Sequence, residues 1–189
     1  MFMTKRKGKF IVISAPSGCG KTTIVKRLLE RNQNLTRSIS YTTRAPREGE
    51  ANGRDYFFIS NDEFSSRERN GFFVESANVF DQFYGTSKEA VLGELSKGRD
   101  VILAIDVQGM KQLCAKVKNE IPMILIFIMP PSLTALRTRL RERKTETEKE
   151  IEQRLKIALD EMAERSRYDF VVVNRKVDQT VKEIEAIVG

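Results

Sequence analysis

The sequence predicts an α/β fold, a doubly wound parallel sheet flanked by helices, and three observations carry that prediction. Four short apolar runs are continuous rather than alternating and rich in β-branched residues, as strands covered on both faces are: Lys9 to Ser14, Val101 to Ile105, Met123 to Ile128 and Phe170 to Val173. Each run is followed by a helix candidate, and that alternation implies parallel strands joined by right-handed crossovers. At 189 residues, 40% hydrophobic and 31% charged, the chain suffices for one sizeable core with small insertions rather than two independent domains.

Along the chain, the Lys9 strand leads through a glycine-rich loop into a helix expected over Lys21 to Arg31, which places Ile24, Val25, Leu28 and Leu29 on one face. The stretch from about Leu35 to Lys97 has a different texture. Its front half reads as short strands around a turn-rich segment, Thr42 to Asp55, holding Pro46, Gly49 and Gly53, and it is expected to be an insertion at the ligand edge of the sheet. After the Met123 strand, Pro130 and Pro131 end the run. Ser132 then suits the N-cap of a helix over Leu133 to Leu140 with Leu133, Leu136 and Leu140 on one face. From Glu142 to Glu150 nearly every residue is charged or Thr, which composition reads equally as a solvated helix face or as a flap.

The composition narrows the chemistry. There is no histidine, so Ser-His-Asp catalysis and histidine-ligated zinc are excluded, and Cys19 and Cys114 stand far apart in dissimilar contexts, unlike a CxxC site or a disulfide framework. The longest apolar stretch, Ile121 to Met129, is too short to span a bilayer, and the basic start of the chain lacks the apolar run of a secretory signal, so a cytoplasmic protein is expected. A net charge of +7 calls for an anionic partner: nucleic acid, a membrane surface or phosphorylated small molecules.

The loop itself decides among these. Ala15, Pro16, Ser17, Gly18, Cys19, Gly20, Lys21 and Thr22 join a strand to a helix, the context in which a phosphate-binding loop works. Its glycines let successive N–H groups point inward at phosphate oxygens, and the helix beginning at Lys21 adds the positive end of its dipole. Lys21 would supply a mobile charge for the outer phosphates of a nucleoside triphosphate, the Thr22 hydroxyl would ligand Mg²⁺, and Thr23 follows in the same turn. The usual motif opens with Gly where this chain has Ala15, a change tolerable if φ stays negative there.

A phosphoryl acceptor must then be found. Arg44 and Arg47, three residues apart around Pro46, can converge on one phosphate with bidentate geometry, and Tyr56 and Tyr84 offer further hydroxyls, although arginines on a loop are also ordinary surface charges. Here the sequence resembles the guanylate kinases over nearly its whole length. The resemblance runs through SAPSGCGKT, SYTTRAPREGEANGRDYFF, FVESANVFDQFYGTS, AIDVQG, FIMPPS and VVVN, in that order.

That resemblance implies a P-loop containing nucleoside triphosphate hydrolase fold in a single domain, 1–189. The core would be 1–38, 98–141 and 155–189, with a GMP-binding insertion at about 39–97 and a lid at about 142–154. It implies that Arg44, Arg47, Tyr56 and Tyr84 hold the phosphate of GMP, that Ser40, Glu75 and Thr86 read guanine, and that Asp106 lies near the base and the water bound to magnesium. It further implies that Arg139, Arg143 and Arg154 close over the phosphates and that Asn174 contacts adenine. Partners would be ATP and GMP, with Mg²⁺ as cofactor and no nucleic acid, membrane or obligate protein partner.

The residue chemistry agrees with these implications. Guanine presents N1–H and its amino group side by side, and one carboxylate such as Glu75 can accept both, whereas adenine puts an acceptor at N1. The phosphate of GMP is already ionised, so the missing histidine is no obstacle. What obstructs transfer is repulsion between polyanions, which Lys21, arginines and Mg²⁺ answer. Two departures from the family pattern stand out. Ala104 replaces an acidic residue two places before Asp106, which bears on magnesium, and Arg175 and Lys176 replace acidic residues after Asn174, which bears on the adenine rim. A rival reading as a non-catalytic interaction module runs against the intact Lys21 and Thr22. A nucleic-acid reading runs against basic residues interspersed with Glu between Arg137 and Arg154.

Overall fold

The computed structural model describes residues 6–79, 81–117, 119–142 and 147–189, except for the side chain of Val79. It divides into two compact units. Of the described residues, one unit comprises 6–10, Asn34–Leu103 and Gln108–Met123, and the other Ile11–Gln33, Ala104–Val107 and Ile124–Gly189.

The second unit is built on β1 (Phe10–Ser14), β8 (Met123–Met129) and β9 (Phe170–Val173), adjacent in that order. β8 and β9 run parallel, with Ile126 opposite Phe170 and Met129 opposite Val173. Ile11, Val12, Ile13, Ile126, Phe127 and Ile128 are at most 1% exposed, as the unbroken apolar runs foretell. Around these strands lie α1 (Lys21–Arg31), α5 (Leu133–Glu142), α6 (Glu148–Ala163) and α7 (Val177–Val188). α1 buries Ile24, Val25 and Leu28, and the Ser132 hydroxyl caps α5 by accepting from the Ala135 N–H at 3.0 Å.

Two expectations are corrected. Leu133 is 37% exposed, because at the first position of α5 it precedes the turn whose Leu136 and Leu140 enter the core. Phe170 and Val171 are each 43% exposed while Val172 is buried; β9 ends the strand order, so cover on both faces stops there. Within Glu142 to Glu150, α6 begins in a capping box, with the Thr147 side chain accepting from the Glu150 N–H and Glu150 accepting from the Thr147 N–H. The charges expected to lie on a solvated face are paired there. Arg141 meets Glu148 through two 2.8 Å hydrogen bonds and Arg137 meets Glu152, joining α5 to α6.

The first unit holds β2 (Leu35–Arg37) and β7 (Asp100–Ala104), paired in parallel with Leu35 opposite Asp100. It also holds a four-stranded sheet in the order β4-β3-β6-β5, from β3 (Tyr41–Thr42), β4 (Phe57–Phe58), β5 (Phe73–Val79) and β6 (Gln82–Ser87). Its helices are α2 (Asn61–Arg69), α3 (Lys88–Ser96) and most of α4 (Val107–Val117). Strand alternation divides the four-stranded sheet into two faces. On one face Phe64 and Phe73 stack at 4.6 Å, and Tyr41 and Phe57 at 4.7 Å. Gly85 makes that packing possible: a Cβ there would lie 2.8 Å from the Phe73 ring. The opposite face carries polar residues.

Candidate active site

Each half of the expected site is assembled inside one unit, except that Asp106, expected near the base, falls in the unit of the phosphate loop. In the second unit, β1 delivers the chain to the loop with Ala15 3% exposed. Asp81 is the one non-glycine residue with positive φ among the described residues, so Ala15 has the backbone that alanine tolerates. The Cys19 N–H donates to the Pro16 carbonyl at 3.1 Å, curling the loop, and Gly18 and Gly20 take φ of 89° and 85°. Gly20 precedes α1 with no side-chain cap, so the first N–H groups of that helix are left for an anion. Ser17, Thr22 and Thr23 are exposed beside it.

Lys21 is anchored rather than mobile. β7 ends at Ala104, one residue earlier than the sequence suggests, and the Ile105 carbonyl accepts from Lys21 Nζ at 2.9 Å. Burial pushes the Lys21 ammonium down from its usual range, opposed by the charges of Asp106 and Glu161 and by Cys19. A desolvated cation acts at low dielectric, where its pull on a phosphate is strongest. Asp106 falls in this unit, its carbonyl accepting from Ser14 Oγ at 3.4 Å.

Two of the three arginines expected to close over the phosphates reach the loop and its surroundings. Arg154 Nη1 donates to Ser17 Oγ at 2.7 Å. Arg139 Nη2 donates to the Asn174 carbonyl at 2.9 Å, while its buried Nη1 meets no hydrogen-bond partner among the described residues. A buried guanidinium nitrogen without an acceptor is costly unless a ligand supplies one. Arg143 lies outside the described residues. Asn174 is 2% exposed, and its side chain is turned onto the protein: Nδ2 donates to the Cys19 carbonyl at 2.8 Å and Oδ1 accepts from Thr180 Oγ1 at 3.1 Å.

In the first unit, the polar face of the four-stranded sheet gathers the residues expected to hold the acceptor. Glu75 and Thr86 stand opposite each other on β5 and β6. Thr86 Oγ1 donates to Glu75 Oε1 at 2.7 Å, and Ser40 Oγ lies 3.5 Å from Thr86 Oγ1. Glu75 is 4% exposed, a carboxylate held in a dry setting by this hydroxyl and the sheet. Tyr84, two residues along β6 from Thr86 and so on the same face, meets Tyr56 with ring centres 5.9 Å apart. The Arg44 guanidinium lies 5.5 Å from the centre of the Tyr56 ring. Burial opposes the charge of Arg44, but the Glu50 carboxylate and Tyr84 outweigh it and hold the group above its usual range. Arg47 is exposed.

Three residues enter the site that sequence reasoning did not single out. Glu50 accepts from Arg44 Nη2 at 2.8 and 2.9 Å and from the Arg47 N–H at 2.7 Å, tying the two arginine positions together. That N–H, with the Arg44 guanidinium, holds the Glu50 carboxyl below its usual range despite burial. Glu161 shares a face of α6 with Arg154 and buried Ala158, seven and three residues away. Burial pushes its carboxyl up to about 7, with Asp106 adding and Lys21 opposing. Thr180 is 1% exposed and touches the loop through Asn174. Only Glu50 had a local signal, its place within the arginine segment. Glu161 and Thr180 sit in helices whose periodicity says nothing of chemistry.

Residues 7–189 match the family model described as guanylate kinase. A guanylate kinase of Caldanaerobacter subterraneus subsp. tengcongensis is 48% identical over 185 residues, spanning 97% of this chain and 88% of that one. A second, from Wolbachia of Brugia malayi, is 46% identical over 183 residues, spanning 97% and 93%. The crystal structure of guanylate kinase from Anaplasma phagocytophilum superposes with a TM-score of 0.75 at 35% identity, over 97% of this chain and 86% of that one.

Proposed function

The chain belongs to the guanylate kinase family and is an enzyme that transfers the γ-phosphoryl group of ATP to GMP, giving ADP and GDP; on that premise we propose how its own residues divide the work. Ala15 to Thr23 bind the phosphates of ATP, with Lys21 as the fixed charge and Arg139, Arg143 and Arg154 as the closing arginines of a lid at about 142–154. The insertion at about 39–97 binds GMP: Arg44, Arg47, Tyr56 and Tyr84 take its phosphate, and Ser40, Glu75 and Thr86 read guanine. The observation that carries the donor assignment is the half-buried Lys21 ammonium, held on the Ile105 carbonyl at the uncapped start of α1.

Mg²⁺ fits this donor set. Among the described residues no cluster of three acidic, Cys or His side chains could cage a metal ion, and magnesium held mainly by phosphate oxygens and water needs none. Thr22 would hold it, and bound there it offsets phosphate charge. Asp106, in the same unit as Lys21, is assigned to a magnesium-bound water, and Asn174 remains at the adenine side of the loop. The GMP phosphate attacks as an anion and needs no general base, so the chain positions, shields and neutralises. We place this activity in the cytoplasm, with no nucleic acid, membrane or obligate protein partner. No helix among the described residues is long and apolar enough to cross a membrane.

A coupled assay of ADP formation with GMP, AMP, UMP and dTMP as acceptors tests the guanine assignment. GMP is expected to exceed AMP by roughly 10⁴ in kcat/KM, the penalty for facing two acceptors in a dry site. Comparable rates with AMP would refute the roles of Glu75 and Thr86.

A further inference from the structure

Thr180, the fourth residue of α7, has no role in the division of work above, yet it is 1% exposed and its hydroxyl is committed to a single side chain. That side chain is Asn174, whose polar groups are all engaged within the protein. Its N–H donates to the Met129 carbonyl at 2.8 Å and its own carbonyl accepts from Arg139 Nη2 at 2.9 Å. Its Nδ2 donates to the Cys19 carbonyl at 2.8 Å, and its Oδ1 accepts from Thr180 Oγ1 at 3.1 Å.

From this geometry we propose that Thr180 and Asn174 are positioning residues for ATP, a buried relay from α7 that sets the curl of the phosphate loop and the stance of Arg139. The relay rests on the phosphate-loop reading above and deepens it. Three features make it directional. The Cys19 carbonyl can only accept, so the NH₂ end of the Asn174 amide must face it, which leaves Oδ1 to accept from the Thr180 hydroxyl. Cys19 is the residue before Gly20, so holding its carbonyl outward turns the following peptide N–H groups toward the phosphate side. Gly20 leaves room for the contact, since a Cβ there would lie 2.9 Å from Asn174 Nδ2.

The same residue also seats Arg139 through its backbone carbonyl, leaving Nη1 of that guanidinium as a buried donor with no acceptor among the described residues. Loop and arginine are therefore referenced to one point at the end of β9. Such a point keeps the donors that meet phosphate in fixed relation before ligand arrives, which is the condition for electrostatic stabilisation without reorganisation. Side chains that touch no substrate can matter in this way because small misplacements of charged donors cost disproportionately in rate.

Thr180→Val tests the relay, because valine keeps the shape and removes the hydroxyl. The expected result is ADP affinity weakened by about tenfold, the scale of one lost hydrogen bond at a buried group, with a fall in kcat and a GMP KM within about twofold of the parent. Amide chemical shifts of Gly18, Gly20 and Lys21 should move, and Thr180→Ser should restore affinity and shifts. Unchanged ADP affinity and unchanged loop shifts in a folded Thr180→Val protein would overturn the proposal, even if its melting temperature falls. Should the valine variant fail to fold, Thr180→Ala carries the same comparison with less crowding. Lys21→Ala run alongside separates the two levels: if it keeps normal turnover the loop reading itself fails, whereas a dead Lys21→Ala beside a normal Thr180→Val removes only the relay.

Discussion

Glu75→Gln is the substitution for which the structure makes the sharpest statement. Thr86 Oγ1 donates to Glu75 Oε1 at 2.7 Å, so in the variant the same hydroxyl holds the amide oxygen and turns the NH₂ end away from Thr86. A carboxylate with about four lone-pair positions could serve Thr86 and both guanine donors at once; the amide presents a donor where guanine also presents one. One hydrogen bond to a charged acceptor is lost, worth about 1.5 to 3 kcal/mol, and a buried N–H of guanine is left facing another N–H, costing about 1 to 3 kcal/mol more. Together these give about 2.5 to 6 kcal/mol, or roughly 10² to 10⁴ in kcat/KM for GMP. The assay is ADP formation with GMP varied at saturating ATP, then ATP varied at the highest usable GMP, with ADP affinity measured separately by calorimetry. ADP affinity should stay within about twofold, because Glu75 is assigned to the acceptor base and not to ATP. Equal losses for GMP and for ATP would refute guanine reading by Glu75, and so would a loss in GMP use below about fivefold.

Other perturbations separate the remaining roles. Lys21→Ala should lower kcat/KM by roughly 10² to 10³ with the urea midpoint unchanged or raised, since the removed ammonium is buried at a cost; near-normal turnover would sink the assignment. Glu161 sets a pH signature. Its carboxyl at about 7 lies above the ordinary 4.5, so the folded state binds that proton more tightly than the unfolded state does, and the resulting stability is present below pH 4.5 and lost as pH rises through 7. Glu161→Gln should remove that slope, gaining about 1 to 2 kcal/mol relative to the parent between pH 5 and pH 8 in urea titrations, a figure discounted for solvent at a partly exposed group; a pH-independent difference would contradict it. Gly20→Ala should cost about 1 to 2 kcal/mol from its φ of 85° alone and displace Asn174, so ADP binding should fall with stability; full ADP affinity would show that the loop adapts.

Much of this site was legible because its signals are local. The loop announces itself through contiguous residues between a β-branched run and an amphipathic helix. Glu75 and Thr86 lie on two strands joined by a short connection, so cross-strand pairing at Glu75–Thr86 follows from a hairpin that brings near neighbours together. The apolar faces of α1 and of the buried strands follow from periodicity, which fails only where an element begins or where a sheet ends, as at Leu133 and Phe170.

By itself, the sequence determined the fold class, the phosphate loop and the exclusion of histidine chemistry, since each depends on residue type and short spacing, whereas the residues expected to read guanine came from the family resemblance. Only the tertiary structure decided how polar residues are employed. Asn174 reads as a ligand contact by resemblance, yet its amide is bonded to the Cys19 carbonyl 155 residues away. Lys21 reads as a mobile charge, yet it is anchored on the Ile105 carbonyl 84 residues away. Glu161 looks like any solvated helix charge until burial beside Lys21 and Asp106 raises its pKa. The physical reason is common to all three: a hydrogen bond or a desolvation penalty depends on what stands within a few ångströms, and for residues far apart in the chain only the packed structure supplies that neighbour.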